Sequence, residues 1–343
     1  MNHWQGFREF CFFEKLYGGP DPHLTCVVES ARPLTFEEQI WRVALYVGFY
    51  NVPSAEAVWR VWTGEKFLSN YDAVEYFIHH HWREGFRLRR ERKTCKSPPK
   101  MMNYLSGYQK TLDSLPKLKS ADPEEVWDFA KSLPRVGRYA ATKLCECWYR
   151  LGLVDEEIPD IRPAEAWSPR TTLAMLFPDF EHDPEINYEK EVQEAHELSA
   201  ELFQKINETV RMSIFEMEVM LCEYKASYKT HRQYPGRSLD SELTYENAIK
   251  DYWKAGETEH MKLRRKLFPA WSLGEIQGWN EVRKPLGYVL SKWGYTWSDW
   301  IYDYNKSLKA NEEIQVPYFK DGKSFSHEGV RIKLKENGLW LHE

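Results

Sequence analysis

The 343-residue chain lacks the short signatures that mark most nucleotide-using and hydrolytic enzymes. It has no G-x-x-x-x-G-K-[ST] loop to cradle phosphates and no G-x-G-x-x-G fingerprint, which argues against a P-loop kinase or a Rossmann enzyme. A G-x-S-x-G elbow and a zinc-deaminase signature are also missing. The six cysteines, Cys11, Cys26, Cys95, Cys145, Cys147 and Cys222, show neither Cys-x-x-Cys nor zinc spacing. Free thiols in a reducing compartment follow as the expectation. No apolar run reaches membrane-spanning length and the opening residues do not read as a signal peptide, so a soluble, cytoplasmic protein with no membrane partner is expected. A positive charge excess is absent too: the net charge of -5 excludes a protein that coats DNA by charge alone. Strand signals are sparse, and internal repeats and low-complexity tracts are not evident.

Helix signals, by contrast, are dense. The 42% hydrophobic content allows a sizeable core in one or two domains. Thr35-Phe36-Glu37-Glu38 is a capping box leading into Ile40, Val43, Ala44 and Val47. Pro53-Ser54 starts a further helix and 71–81 another, after which Ser97-Pro98-Pro99 breaks the chain. From Val192 to Leu221 apolar residues keep helical spacing, as one long helix or two abutting ones. The segment from Ile158 to Arg170, rich in proline, reads as an ordered loop or short turns. Beyond about Tyr228 the chain is irregular and aromatic, with Trp271, Trp279, Trp293, Trp297 and Trp300. The alternation around Asn337-Gly338 reads as a small C-terminal β-hairpin. The division expected is a helical unit over 1–230 and an aromatic-rich region over 231–343.

Charge is uneven. Between residues 79 and 110 nine Lys and Arg face only Glu84 and Glu91, a local excess suited to phosphate or to a solvated helix face. The neighbouring His79, His80 and His81 fan around a helix and cannot converge on one ion.

The most telling stretch is Ser132-Leu133-Pro134-Arg135-Val136-Gly137-Arg138-Tyr139-Ala140-Ala141. Asp122 as N-cap, Pro123 at the first helical position and Glu125 predict a helix before it; Ala140, Ala141, Leu144, Trp148 and Leu151 predict one after it. A tight turn between two helices aims free backbone N–H groups outward, with Arg138 and Lys143 close by, and such an end binds phosphate without reading bases. Spanning about 122–151, this pattern resembles the helix-hairpin-helix element of the DNA glycosylase superfamily. That family carries glycine where this chain has Arg135, a steric cost if the position needs φ > 0. The resemblance implies a mainly α, glycosylase-like helical fold and double-stranded DNA as partner, contacted through Arg135, Val136, Gly137, Arg138, Tyr139 and Lys143. It also implies an acid after the second helix. Asp155 and Asp160 are both available, and Asp160, in Pro159-Asp160-Ile161-Arg162, matches the family context better. Lys131 lies near the place of a Schiff-base lysine, without a secure register.

A narrower resemblance covers about residues 42–237. It rests on Arg42-Val43-Ala44-Leu45-Tyr46-Val47-Gly48-Phe49-Tyr50-Asn51, on the hairpin, and on Trp167-Ser168-Pro169-Arg170. Glu218-Val219-Met220-Leu221-Cys222-Glu223-Tyr224-Lys225 and Tyr234-Pro235-Gly236-Arg237 complete it. The chain is similar here to the α-glutamyl/putrescinyl-thymine pyrophosphorylases of phages, a glycosylase-superfamily group that includes amino acid:DNA transferases. The implied reaction replaces the pyrophosphate of 5-(pyrophosphoryloxymethyl)uracil in phage DNA by an amine, from an amino acid or a polyamine, in the infected host's cytoplasm. Under that reading Tyr46, Tyr50 and Trp167 stack the flipped base and Asn51 reads a uracil edge. Arg42, Arg162, Arg170, Lys225 and Arg237 hold substrate or pyrophosphate. Asp160 first and Glu218 second take the proton from the amine. Magnesium can accompany pyrophosphate, though no sequence feature requires it. Two other readings stay open: a DNA N-glycosylase acting on a modified base, and a non-catalytic DNA-binding helical protein.

Overall fold

A computed structural model of the chain describes residues 3–16, 19–61, 71–88, 95–161, 166–183 and 188–230, together with 314–315 and 324–325. The fold over these residues is mainly helical, as expected. The helices follow in the order α1 (His3–Leu16), α2 (Pro22–Ala31), α3 (Phe36–Phe49), α4 (Val52–Val61), α5 (Tyr71–Gly85) and α6 (Pro98–Tyr108). Then come α7 (Lys110–Ser114), α8 (Pro123–Ser132), α9 (Arg138–Arg150), α10 (Trp167–Leu176), α11 (Tyr188–Asn207) and α12 (Ile214–Thr230). Two short strands, β1 (Ile314–Gln315) and β2 (Ser324–Phe325), pair antiparallel. The β-hairpin expected around Asn337-Gly338 and most of the aromatic region 231–343 lie outside the described residues.

Local chemistry explains where several helices begin. The Thr35 hydroxyl accepts from the Glu38 N–H, and the Glu38 carboxylate accepts from the Thr35 N–H, which closes the capping box of α3. Asp122 accepts from the Glu124 N–H at the start of α8, with Pro123 at its first position. The apolar run from Val192 is two helices rather than one. Asn207 accepts from the Met212 N–H, and Ser213 and Glu216 form a second reciprocal cap that starts α12 afresh. Two expectations are corrected. Ser97-Pro98-Pro99 starts α6, and Trp167-Ser168-Pro169-Arg170 is the first turn of α10 rather than a loop. In both, proline sits in the first turn, where its missing N–H costs no helical hydrogen bond.

α3 is buried along its length from Ile40 to Phe49 and packs against α2, α4, α6, α7 and α9. A second group forms around α12, which packs on α1, α9 and α10, with α11 against α10. α9 touches both groups and sits at the seam between them. Its Trp148 is fully buried and donates Nε1–H to the Tyr108 hydroxyl at 3.0 Å, tying α9 to the end of α6. Gly107 of α6 is where the turn before α9 comes closest: a Cβ there would meet the Pro134 ring at 2.3 Å. Among the described residues no helix is long and apolar enough to cross a membrane.

Candidate functional site

The turn over 133–137 is built by two apolar anchors and two exposed positions. Leu133 and Val136 point into the core, and the Val136 N–H closes the turn on the Leu133 carbonyl at 3.2 Å. Arg135 and Gly137 are exposed between and beside them. Arg135 has φ +62°, the left-handed region that costs a side-chain-bearing residue about 1–2 kcal/mol. Its Nε–H donates to Asn103 Oδ1 on α6 at 3.1 Å, which holds the strained residue in place. Gly137 then caps α9 in an extended conformation, and no side chain caps the first turn of α9. An added Cβ at Gly137 would meet nothing within 4 Å, so this helix start faces open space.

Behind the exposed turn, Arg138 points inward. Its guanidinium donates to Glu218 Oε1 of α12 at 2.5 Å and to the Ile161 carbonyl at 3.4 Å. Burial works against the guanidinium charge, but Glu218 more than compensates and raises the Arg138 pKa. Glu218 is itself fully buried, and the Cys222 Sγ, one turn further on, lies 3.7 Å from it. Burial first, then Glu218, push the Cys222 thiol well above its usual range, so it is a packed thiol rather than a nucleophile.

Asp160 precedes the Ile161 carbonyl that Arg138 contacts. Its Oδ1 lies 3.0 Å from Nδ1 of His196 on α11, a close approach without the alignment of a hydrogen bond. Its side chain retains 16% exposure, whereas that of Glu218 has none. Asp155 lies apart, accepting from the Ser120 hydroxyl at 2.5 Å in an exposed contact just before α8. Farther along α12, Lys225 donates to Ser168 Oγ at 3.0 Å. Its neighbour Trp167 is 52% exposed, its ring centroid 4.3 Å from that of His182. Glu218, Cys222 and Lys225 share one face of α12 at i, i+4 and i+7. That face therefore connects the start of α9 to the start of α10.

Other expected site residues have different surroundings. Lys143 is buried, with Asp21 at 3.1 Å and Glu146 at 2.9 Å; burial opposes its charge, and the two carboxylates raise its pKa well above normal. It is turned away from any strand lying on the turn. Tyr46 and Tyr50 are buried and hydrogen-bonded to Asp21 at 3.2 Å and 2.5 Å, so neither presents a free face for stacking a base. Tyr139, half-buried at the start of α9, donates to the Tyr50 hydroxyl. Asn51 is a helix cap: its Oδ1 accepts from the Ser54 N–H and hydroxyl in the first turn of α4. Arg42 pairs with buried Glu56 and stacks over Trp59. Arg170 pairs with Glu191 at 3.2 Å, and Glu191 also meets His182 Nδ1 at 2.5 Å. Arg162 and Arg237 lie outside the described residues.

The sequence reading missed Asp21, His196 and Glu157. Asp21-Pro22 is the same cap-and-proline signature read correctly at Asp122-Pro123. His196 sits mid-helix and carries no local signal. Glu157 is pushed up to about 7 by burial first, against the Ile214 N–H that it accepts, and by the nearby charges of Glu146 and Glu216. No group of three or more potential metal ligands is assembled among the described residues. The chain matches no protein-family model, no curated protein and no solved structure.

Proposed function

We propose that the chain is a helix-hairpin-helix, glycosylase-like enzyme that modifies a thymine derivative in double-stranded DNA. The observation that carries the reading is the exposed turn at 133–137, with Arg135 in the left-handed region and an uncapped α9 start facing open space. Uncapped N–H groups at a helix start, with its dipole, favour a phosphate oxygen over bulk water. The turn leads straight into Arg138, Glu218 and the Asp160 loop, so a strand held there lies beside a proton acceptor and a cation-bearing helix face.

The reaction is amine transfer to 5-(pyrophosphoryloxymethyl)uracil. The amine nitrogen bonds to the exocyclic carbon, the carbon–oxygen bond to pyrophosphate breaks with its electron pair, and one proton leaves nitrogen. Asp160, partly open and backed by His196, is the acceptor of that proton. Glu218 is the positioning residue for Arg138, because its carboxylate is spent on a buried ion pair. Trp167 offers the exposed π-face for the flipped base, and Lys225 beside it offers charge to the leaving pyrophosphate. If magnesium accompanies pyrophosphate, it arrives with that substrate; none of these roles depends on it.

The test is pyrophosphate release from DNA carrying the activated base, with an amino acid or polyamine present, read together with the mass of the modified nucleoside. Release with a mass gain equal to the amine supports transfer. Abasic sites in place of that product identify base excision and overturn the transferase reading.

A further inference from the structure

A second basic surface lies apart from the turn, in a cleft of about 580 Å³ between the end of α5 and the start of α6. His79, His80, Trp82 and Arg83 line one side, Ser97 and Pro98 the other, and among the described residues Glu84 is the one acid in the lining. Two features set it apart from an ordinary solvated helix face.

The first is aromatic. Tyr76, one turn before His80 on α5, is 70% exposed, the most exposed large apolar side chain among the described residues. The His80 ring lies nearly parallel to it, at 5.7 Å and 12°. A flat π-surface is thus held open to solvent at the edge of the cleft rather than folded into the core. The second is charge. Arg83 lines the cleft, Lys96 and Lys100 flank its lining residues Ser97 and Pro98 in the chain, all three are exposed, and no described residue forms an ion pair with them. Fixed cations beside an open aromatic stack are what unpaired nucleotides require: phosphates take the cations, and bases lie on rings whatever their sequence. An acidic peptide would satisfy the cations and leave the rings unused. A closed duplex keeps its bases stacked on one another and cannot use the rings either.

α6 connects this cleft to the turn. Pro98 lines the cleft, Asn103 holds Arg135, and Gly107 packs against Pro134. At 1.5 Å per residue, Pro98 and Asn103 are about 7.5 Å apart along the axis. That is roughly two base steps at the B-form rise. Lys100 falls between them, three residues before Asn103.

We infer that the α5–α6 cleft binds unpaired nucleotides, with bases on Tyr76 and His80 and phosphates on Arg83 and Lys100. A strand leaving the 133–137 turn along α6 reaches it within a few nucleotides. The chemistry of the cleft stands without the turn, so the two surfaces fail separately.

The experiment is fluorescence anisotropy with the full chain and a labelled oligothymidylate of about 12 nucleotides, a length within known single-strand site sizes. A blunt duplex is measured in parallel. Tyr76→Ala is expected to weaken oligothymidylate binding roughly fivefold or more. Arg83→Ala with Lys100→Ala is expected to flatten its log–log salt slope by about 1.4, at ~0.7 per phosphate contact. Blunt-duplex binding changes little in the Tyr76 variant. All three side chains are exposed, and a melting curve confirms that each variant folds. Oligothymidylate affinity unchanged in both variants overturns the inference while leaving the turn reading intact. Loss in both, alongside turn variants that bind duplex normally, removes the turn reading and leaves this one standing.

Discussion

The Tyr139 hydroxyl donates a 2.5 Å hydrogen bond to the Tyr50 hydroxyl, which donates in turn to Asp21 at 2.5 Å. Tyr50 itself is held at φ +47°, where a bulky residue is strained, at the junction of α3 and α4. Asp21 also accepts from Tyr46 and pairs with Lys143, so one buried carboxylate joins α2, α3 and α9. The exposed turn is thus seated on the α3 group through a polar core. Asp21→Ala should cost about 3–5 kcal/mol, because it leaves the Lys143 ammonium buried with Glu146 alone. Tyr139→Phe removes one neutral hydrogen bond and should cost about 1 kcal/mol. Urea unfolding of the two variants checks the ordering; equal costs would contradict it.

Arg135 carries the strain of the turn. Arg135→Gly relieves the left-handed penalty of about 1–2 kcal/mol and loses an exposed hydrogen bond and some unfolded-state restriction. The net expectation is a stabilisation of up to about 1 kcal/mol, with Arg135→Val destabilised by about 1–2 kcal/mol. Melting temperatures in the order Gly, Arg, Val check it.

Much of the region that seats the turn is legible in the sequence, because it depends on local signals. Asp122-Pro123, the capping box at Thr35 and Glu38, and the apolar spacing after Gly137 each act within a few residues of chain. The resemblance, with glycine where this chain has Arg135, raises a steric cost only if that position needs φ > 0; its φ of +62° meets that condition. What was not legible is which polar residues are buried. Lys143 and Arg170 read as available cations, but each is neutralised by carboxylates distant in sequence: Asp21 for Lys143, Glu191 for Arg170. The Asp160–His196 approach joins residues 36 apart on different elements, which no local spacing encodes. The Ser213 and Glu216 cap follows the same rule as Thr35 and Glu38, and it decides between the one long helix and the two abutting helices that the apolar spacing leaves open.

Glu157 gives stability a pH dependence of known sign. Its folded pKa of about 7 lies above the ordinary 4.5, so the folded chain holds this proton more tightly than the unfolded chain does. The contribution is fully present below about pH 4.5 and is lost as pH rises through about 7. Glu157→Gln removes that loss. Relative to the parent chain, the variant should gain melting temperature between about pH 5 and about pH 8. A difference that stays flat over this range would contradict the assignment.

Asp160 and Glu218 should separate by phenotype. Asp160→Asn keeps a partly exposed, similar-sized side chain and should shift stability by less than about 1 kcal/mol while abolishing amine transfer. Glu218→Gln leaves the Arg138 guanidinium buried without its counter-charge and should cost about 3 kcal/mol or more. Thermal melts and pyrophosphate release on the same preparations distinguish the two roles. An Asp160→Asn enzyme with full activity would remove Asp160 from the chemistry.

The most direct test of the account is duplex binding by Gly137→Asp. A Cβ at Gly137 meets nothing, and aspartate is a good N-cap, so the variant should keep or slightly raise its folding stability, by a few tenths of a kcal/mol. Its carboxylate would occupy the α9 start and repel a phosphate there. Duplex affinity should fall about tenfold or more, with a shallower salt dependence. A Gly137→Asp chain that binds duplex DNA with unchanged affinity and an unchanged salt slope would contradict the claim that this turn grips DNA.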